Sequence, residues 1–280
     1  MADARQRVRA IGSIRSPFVT DASANPPRAE AALRSRFAAA RTAPTAVVLE
    51  GFHAVKHALR FRAEVTDVVS DDLHGLEVLL ATVEPELAAR IRAAVQSVET
   101  TLVRELAPRA PASPLLAIAE RRVVDAHAVI ADRRAPVILL DEPRHAGNAG
   151  AVVRVAAAAD AAGVVMLGSL DPWSASVVRA AAGLHYAVPV AGTDRVEVLD
   201  DRGDRPLVAL DPDGGVFDPR TVPPDAIFAF GSERHGLSDD VRRRSDAVVA
   251  LPMRPGVSSL NLATSVSAVL YALQLAATGS

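Results

Sequence analysis

The sequence predicts an α/β protein that has a mostly parallel sheet in its C-terminal part and a smaller α/β domain before it. After residue 136, short apolar stretches bounded by Gly, Pro or Asp alternate with helical stretches. Continuous Val, Ile and Leu runs in such an alternation are typical of a parallel sheet that helices cover on both faces. The strands are expected at 137–141, 164–168, 207–211, 227–231 and 247–252.

The chain of 280 residues is long enough for two domains. Residues 1–44 are interpreted as a basic arm with one helix near 28–40. Residues 45–122 follow as a small α/β domain, which we assign to binding because it lacks glycine-rich phosphate loops and paired catalytic residues. Residues 123–135 are interpreted as a linker, and residues 136–280 as the domain that carries the chemistry.

Charge is distributed unevenly along the chain. The formal net charge is −2, but residues 1–45 hold eight Arg and three acidic residues, so the remaining chain carries −7. A basic segment on an acidic body indicates a polyanionic partner. An Arg-rich leader without a partner remains the alternative.

Several classes of protein are excluded by composition. The chain has no cysteine, which excludes disulfides and thiol nucleophiles and fits a reducing compartment. It shows no signal peptide and no span of about 20 apolar residues, so a cytoplasmic protein with no membrane partner is expected. His53, His57 and His74 lack carboxylates at ligand spacing, so no metal site is expected.

The loop after the first strand of the large sheet holds polar residues at a helix start. Asn148 is expected to cap a helix that begins near Ala149, and Gly150 allows a ligand or a backbone to approach closely. Arg154 follows about one and a half turns into this helix, among apolar neighbours. A buried cation needs an anionic partner, for which an ion pair with Asp160 or Asp141 is the structural alternative.

Two further loops follow predicted strands. In the first, Gly231 ends a strand, Glu233 and Gly236 follow, and Ser238 is expected to cap a helix. In the second, a rigid Pro-containing loop leads to the last helix, which Ser259 or Asn261 begins. An N-cap hydrogen bond explains one small polar residue at the start of that helix. Three such residues, Ser258, Ser259 and Asn261, lie there within four positions.

Taken together, the three loops resemble the motifs of one enzyme family. "NAGAVVR", "GSERHGL" and "LPM…SSLN" occur in this order, each after a strand. They are similar to the three motifs of the SpoU (TrmH) family of SPOUT methyltransferases, and the resemblance covers residues 135–280. Residues 45–122 resemble the L30e-like RNA-binding domain of many members, on the stretch "VLEGFHAVKHAL".

The resemblance implies a C-terminal domain tied in a trefoil knot, a homodimer, and methyl transfer from S-adenosylmethionine to a ribose 2′-hydroxyl of RNA. It favours rRNA over tRNA, because L30e-like extensions recur on rRNA-directed members. Carried over position by position, it implies the cofactor-binding residues Gly231, Gly236, Leu251, Met253 and Leu260. The catalytic residues that it implies are Asn148, Arg154, Glu233, Ser259 and Asn261.

Within that set, Arg154 is expected to stabilise negative charge on the reacting oxygen and to hold a phosphate, while Asn148 orients the ribose. Other functions are weighed against this one. A nucleotide-dependent oxidoreductase or kinase is the first alternative. The sequence lacks the G-x-G-x-x-G motif of such oxidoreductases and the G-x-x-x-x-G-K-[ST] motif of such kinases, which argues against both. A catalytically degenerate RNA-binding module is the second alternative, and Trp173 is expected to pack in a core or to stack on a base.

Overall fold

The computed structural model describes residues 26–107, 109, 111, 113–257 and 259–278, which form two α/β domains. Residues 1–25, the larger part of the predicted basic arm, lie outside the described residues, as does Ser258. All helices in the described part of the chain are too short or too polar to cross a lipid bilayer.

The first domain is built on a four-stranded sheet with the strand order β1-β4-β2-β3. Strand β4 pairs antiparallel with β1 and β2, whereas β2 and β3 are parallel. The elements in chain order are α1 (Pro26–Thr42), β1 (Ala46–Glu50), α2 (Phe52–Arg60), β2 (Val65–Ser70), α3 (Leu73–Leu80), α4 (Pro85–Ala94), β3 (Val95–Ser97), α5 (Thr100–Leu106) and β4 (Leu116–Glu120). The L30e-like character of this domain stays a prediction.

The helix expected near 28–40 is α1, but it is not part of a free arm. Its residues Leu33, Phe37 and Ala40 are buried and pack with Leu102 of α5 and Val48 of the sheet. The assignment of residues 26–44 to a separate arm is therefore corrected. Burial of these apolar side chains makes α1 one layer of the first domain.

The second domain has a six-stranded sheet in which every neighbouring pair is parallel, in the order β10-β8-β9-β5-β6-β7. Its elements in chain order are α6 (Ala126–Ala131), β5 (Val137–Asp141), α7 (Ala146–Ala158), β6 (Gly163–Leu167), α8 (Ala175–Ala180), β7 (Val190–Thr193), β8 (Leu207–Val216), β9 (Ile227–Phe230), α9 (Asp239–Arg244), β10 (Ala247–Ala250) and α10 (Leu262–Thr278). The mostly parallel sheet is confirmed. Strand β7 is additional, because four residues that include a glycine show no clear apolar run.

Helices cover both faces of this sheet, as the continuous apolar strands predict. Helices α7, α8 and α10 pack on one face, and α6, α9 and a 3₁₀ segment at Val196–Arg202 pack on the other. Strand order and pairing do not by themselves define how the chain is threaded, so the trefoil knot stays a prediction.

The predicted linker belongs to the second domain. Ala126, Val129 and Ile130 of α6 are buried against its sheet. The side chain of Arg205 is also buried and donates hydrogen bonds to the carbonyl oxygens of Ile130, Asp132, Ala135 and Asp225. These bonds tie residues 130–135 to the domain, so the linker assignment of 123–135 is corrected to a packed helix and loop.

A shared core joins the two domains. Trp173, Val178 and Tyr186 of the second domain are buried in the main apolar cluster of the first domain. The carboxylate of Glu50 is also buried, and it accepts hydrogen bonds from Arg41 of α1 and Arg179 of α8. Of the two expectations for Trp173, packing in a core is confirmed.

Candidate active site

A cavity of about 450 Å³ lies where the carboxyl ends of β8, β9 and β10 meet the N-terminal ends of α7 and α10. This is the edge at which open α/β sheets bind ligands. Nine of the ten residues expected at the site line this cavity, and Arg154 is the exception. The nine are Asn148, Gly231, Glu233, Gly236, Leu251, Met253, Ser259, Leu260 and Asn261.

The loop after β9 is a tight turn that forms one wall of the cavity. Ser232 and Gly236 exchange two backbone hydrogen bonds, of 2.9 and 3.0 Å. Gly236 has a φ of +66°, in the region that favours glycine. A Cβ atom on Gly231 would lie 2.0 Å from the carbonyl carbon of Gly236, so no side chain fits there. Ser238 then caps α9 by accepting a hydrogen bond from the Val241 amide, as expected.

Three polar side chains, one from each loop, form a connected chain across the cavity. Asn261 Oδ1 accepts a hydrogen bond of 2.9 Å from the amide of Ala263 and so caps α10. Its amide group must then point away from the helix, and it donates to Asn148 Oδ1 at 3.0 Å. Asn148 in turn donates to Glu233 Oε1 at 2.7 Å. The helix cap therefore determines the orientation of both asparagine amides.

The expected capping role of Asn148 is wrong. Helix α7 begins at Ala146, and His145 is its N-cap residue. Asn148 therefore lies inside the first turn, where its side chain extends sideways to Glu233 and Asn261 rather than back to the helix amides. Gly150 does allow a close backbone approach: a Cβ atom there would lie 2.4 Å from the carbonyl oxygen of Val177.

An acidic residue at the cavity wall was missed by the sequence analysis. The pairing of β10 with β8 shifts register between Val248 and Val249, so that β8 bulges at the cavity, where Leu210, Asp211 and Pro212 line the wall. The Asp211 side chain is buried and paired with Arg242. The rule that chemistry follows strand ends would have found Asp211, which ends the predicted strand 207–211.

Arg154 lies outside this cavity on the exposed surface of α7. The apolar residues around it in sequence occupy other faces of the helix, so its charge is not buried. Asp160 pairs with Arg134, and Asp141 accepts a hydrogen bond from the Ser238 amide. Neither of the ion pairs considered for Arg154 is therefore present, and its guanidinium makes no ion pair with any described residue.

The walls of the cavity suit a ligand that is partly flat and apolar and partly charged. Leu210, Leu251, Met253 and Leu260 supply apolar surface, Glu233 supplies a negative charge and Arg234 a positive one, while the charge of Asp211 is paired with Arg242. The volume lies within the range of small-molecule sites. In the part of the chain that the structure describes, no cluster of three His, Asp or Glu side chains could hold a metal ion.

Residues 135–271 match the family model described as the SpoU rRNA Methylase family. A 23S rRNA (adenosine(1067)-2′-O)-methyltransferase of Streptomyces azureus is 34% identical over 150 residues, which cover 51% of this chain and 55% of that protein. A 23S rRNA (uridine(2479)-2′-O)-methyltransferase of Streptomyces viridochromogenes is 29% identical over 198 residues, covering 66% and 69%. The chain thus spans about half the length of the first of these relatives.

Solved structures share the fold over nearly the whole chain. The SpoU methyltransferase AviRb of Streptomyces viridochromogenes superimposes with a TM-score of 0.71 at 24% identity, over 89% of this chain and 98% of that one. An RNA 2′-O ribose methyltransferase gives a TM-score of 0.69 at 24% identity, over 92% and 98%. The family match, the three motifs and the shared fold agree. The second domain of this chain belongs to the SpoU rRNA methylase family.

Proposed function

We propose that the protein transfers a methyl group from S-adenosylmethionine to a ribose 2′-hydroxyl of rRNA. The observation that carries this proposal is the meeting of the three motif loops at one cavity, where Asn148, Glu233 and Asn261 are joined by hydrogen bonds. A tRNA substrate is the alternative. Either substrate would be met in the cytoplasm.

The cavity fits the proposed cofactor by size and chemistry. Adenine can lie against the apolar walls formed by Leu251, Met253 and Leu260. The cofactor carries a sulfonium, an ammonium and a carboxylate group, for which the carboxylate of Glu233 and the guanidinium of Arg234 at the cavity wall offer opposite charges. The glycines at 231 and 236 leave backbone amides and carbonyls free of side chains, which allows close approach to adenine and ribose.

The cofactor supplies an activated methyl group on sulfur, so the protein has to position the ribose and handle the hydroxyl proton. Transfer breaks the bond from sulfur to the methyl carbon, forms the bond to the 2′-oxygen and releases the proton. The hydrogen bonds to Glu233 and Asn261 leave one N–H and one oxygen lone pair of the Asn148 side chain free. With these two groups Asn148 can bind and orient the ribose. The second oxygen of Glu233 is the acceptor available for the proton.

Arg154 is proposed to stabilise negative charge that develops on the 2′-oxygen, and to contact the adjacent phosphate. A guanidinium stays protonated at neutral pH, so it acts as a charge and a hydrogen-bond donor rather than as a base. Ser259 is exposed at the mouth of the cavity, beside Leu260, where it can contact the cofactor or the ribose.

The names of the relatives favour rRNA, since the relatives from Streptomyces azureus and Streptomyces viridochromogenes are 23S rRNA 2′-O-methyltransferases. RNA binding by residues 45–122 belongs to the same proposal. It is supported by cationic residues on the first domain, among them Lys56, Arg60 and Arg62, on a chain body that is otherwise acidic.

A homodimer is part of the proposal as well. Helices α7 and α10 pack side by side, and both present small or apolar residues to solvent. On α10, Tyr271 and Leu275 are 42% and 71% exposed. Contiguous apolar surface of this kind marks an interaction site. Arg154 stands on the same exposed layer, so a partner packed there would bring Arg154 towards a second cavity.

The first experiment measures ligand binding and methyl transfer by the whole chain. S-adenosylmethionine at 100 times its dissociation constant should stabilise the folded protein by about 2.7 kcal/mol, which is roughly 5–10 °C in melting temperature. NAD and ATP should leave the melting temperature unchanged. Labelled methyl groups should then appear at a ribose of a 23S rRNA transcript.

The outcomes separate the alternatives. Stabilisation by NAD or ATP but not by S-adenosylmethionine would contradict the cofactor assignment. Stabilisation by S-adenosylmethionine with label on tRNA but not on rRNA would support the alternative substrate. Binding without transfer to any RNA would identify a catalytically degenerate module.

A further inference from the structure

Two buried carboxylates on strands of the large sheet have no part in the proposed chemistry. Asp141 ends β5 and is 1% exposed, and Asp211 lies in β8 and is 7% exposed. Strands β5 and β8 are the two neighbours of β9 in the sheet. A carboxylate away from water needs hydrogen-bond donors or a cation, because an unpaired buried charge is strongly unfavourable. The partners of these two carboxylates therefore indicate their role.

Both carboxylates hold the helix that follows the loop after β9. Asp141 Oδ2 accepts a hydrogen bond of 2.6 Å from the amide of Ser238, the N-cap residue of α9. Asp211 Oδ2 accepts one from the guanidinium of Arg242, in the last turn of the same helix. Between these two points, Val241 is buried in the core. Helix α9 is thus fixed at both ends to the strands on either side of β9.

Helix α9 in turn fixes the loop after β9, which forms one wall of the cavity. The backbone hydrogen bonds between Ser232 and Gly236 close this loop. Only Leu237, which is buried, separates Gly236 from the cap of α9. The loop and the helix therefore move together, and Glu233 and Arg234 in the loop take their position from α9.

A second wall of the cavity is the β8 bulge, which consists of residues 210–214. These residues leave the ladder with β10 while β10 advances by a single residue, and the first three of them line the cavity. Asp211 shapes the bulge, since its Oδ1 accepts a hydrogen bond of 3.0 Å from the amide of Asp213. Gly214 then returns so close to β10 that a Cβ atom there would lie 2.6 Å from the amide nitrogen of Val249.

The carboxylate of Asp211 therefore joins the two walls. One oxygen holds the β8 bulge, and the other holds Arg242 of the helix that carries the loop after β9. The Arg242 side chain is 42% exposed and that of Asp211 only 7%. Removal of one partner of a buried charge leaves the other charge unpaired away from water, which an exposed pair avoids. Arg242 does not line the cavity, so its influence on a ligand there passes through Asp211.

The neighbouring arginines of α9 have partners of another kind. Arg243 pairs with Asp240 of the same helix, and both side chains are more than half exposed. Arg244 pairs with Asp200 of the 3₁₀ segment, whose side chain is also more than half exposed. Of these three consecutive arginines, Arg242 is the one whose partner is buried at the cavity wall.

We propose that Arg242 is a positioning residue for the cofactor cavity, and that through Asp211 it sets the distance between the β8 bulge and the loop that carries Glu233. The inference rests on the proposed methyl transfer and goes beyond it by assigning a role to a residue that does not touch the cavity. Without Arg242, the carboxylate of Asp211 turns towards water. The bulge follows, and the cavity wall formed by Leu210 and Pro212 is displaced.

The first test measures cofactor affinity and turnover of Arg242→Gln. The Kd and the KM for S-adenosylmethionine should both rise about tenfold, while kcat at saturating cofactor stays within about threefold of the wild type. Arg242→Lys should recover most of the affinity, because a single N–H holds Asp211 and an ammonium group can replace it. The matched control is Arg243→Gln, which removes the adjacent exposed guanidinium and should bind the cofactor as the wild type does.

The second test separates positioning from direct contact between Asp211 and the cofactor. In a double-mutant cycle, Asp211→Asn and Arg242→Gln should each weaken binding about tenfold, and the double variant should also lose about tenfold, because both changes break the same pair. S-adenosylhomocysteine lacks the sulfonium charge. It should lose as much affinity as S-adenosylmethionine, since the change is one of shape.

Wild-type affinity in Arg242→Gln, or an equal loss in Arg243→Gln, would overturn the inference. A loss that occurs in Asp211→Asn alone and only for S-adenosylmethionine would show that Asp211 binds the sulfonium directly, and the inference would again be wrong. If Arg242→Gln does not fold, Arg242→Lys is compared with the double variant, which leaves no buried charge unpaired. Equal affinities of these two would contradict the inference.

The proposed function is tested separately by the wild type. A wild-type chain that binds no S-adenosylmethionine would contradict the proposed function and this inference together. A wild-type chain that binds the cofactor, with an Arg242→Gln variant that binds it equally well, would contradict this inference alone.

Discussion

Asn148 links the three loops of the candidate site because its side chain is a donor and an acceptor at once. It accepts a hydrogen bond from Asn261 and donates one to Glu233. An aspartate of the same shape could still accept the hydrogen bond from Asn261, but at neutral pH it could not donate one to Glu233. The arrangement therefore requires an amide at position 148, which neither its helix position nor its exposure would indicate.

Replacing Arg154 tests its proposed role in methyl transfer. Arg154→Ala should lower methyl transfer about 10²- to 10³-fold, because in the proposed mechanism Arg154 stabilises negative charge on the reacting oxygen. Binding of S-adenosylmethionine should be unchanged, since Arg154 does not line the cavity. Single-turnover transfer rates and calorimetry of cofactor binding measure the two effects.

The control for this substitution is Arg195→Ala, which removes an exposed arginine beside the 3₁₀ segment on the other layer of the domain. It should transfer methyl groups at the wild-type rate. Full activity of Arg154→Ala would remove Arg154 from the mechanism.

Motif spacing predicted most of the residues that the structure brings together at this cavity, and their roles stay predictions. Nine of the ten expected residues line one cavity, because each motif follows a strand and the strands end at the same edge of the sheet. Motif spacing did not single out Asp211, although this residue ends the predicted strand 207–211, because its approach to the cavity depends on a register shift between β8 and β10. A bulge of this kind leaves no periodic signal in the sequence.

At the scale of elements, the 3₁₀ turn at Leu184–Tyr186 joins the two domains and carries a buried histidine. His185 packs on Trp173 with ring centroids 4.8 Å apart, and its Nε2 donates to the carbonyl oxygen of Pro172 at 2.8 Å. Nδ1 is buried without a partner, so the neutral imidazole is the form that fits. Burial lowers the pKa of His185 to about 4.

This environment predicts how stability depends on pH. The unfolded chain takes up a proton at His185 below about pH 6.5, whereas the folded chain does so only near pH 4. Stability from this group is therefore complete above pH 6.5 and is lost as the pH falls towards 4. At pH 5 the free energy of unfolding should be about 2 kcal/mol lower than at pH 8 on account of His185.

Urea unfolding of the wild type and of His185→Gln at the two pH values isolates this contribution. The variant should be less stable than the wild type at pH 8, but it should lose about 2 kcal/mol less on acidification. An equal loss in both proteins would show that His185 is not the group responsible.

Helix and strand periodicity located most strands of the large sheet, but it missed β7 and α6 and did not show how the helices pack. The helix near 28–40 was assigned to an arm and residues 123–135 to a linker, yet α1 and α6 are buried layers of the two domains. Their apolar residues resemble those of any short amphipathic helix. Only the sheet surface on which they pack shows that they belong to the core.

At the scale of the molecule, the exposed layer formed by α7 and α10 predicts self-association. Tyr271→Glu with Leu275→Glu places two charges on the apolar face of α10 and, in a two-fold dimer, four charges in the interface. The dissociation constant of the dimer should rise at least about 100-fold, which corresponds to about 2.7 kcal/mol. Sedimentation equilibrium measures this change.

The matched control is Val78→Glu/Val123→Glu, which alters two valines that are 62% and 71% exposed on the first domain and after β4. It should sediment as the wild type does. If the α10 variant keeps the wild-type dissociation constant, or if the wild type is a monomer, the proposed interface is wrong.

The order of strands and helices, the parallel character of the large sheet and the three motif loops follow from residue patterns, because periodicity and turn residues act locally along the chain. Which residues meet depends on packing between distant segments. The chain from Asn261 through Asn148 to Glu233, the bulge at Asp211 and the separation of Arg154 from its own cavity arise only when sheet order and helix rotation are known. These are properties of the assembled layers, and no stretch of the sequence contains them.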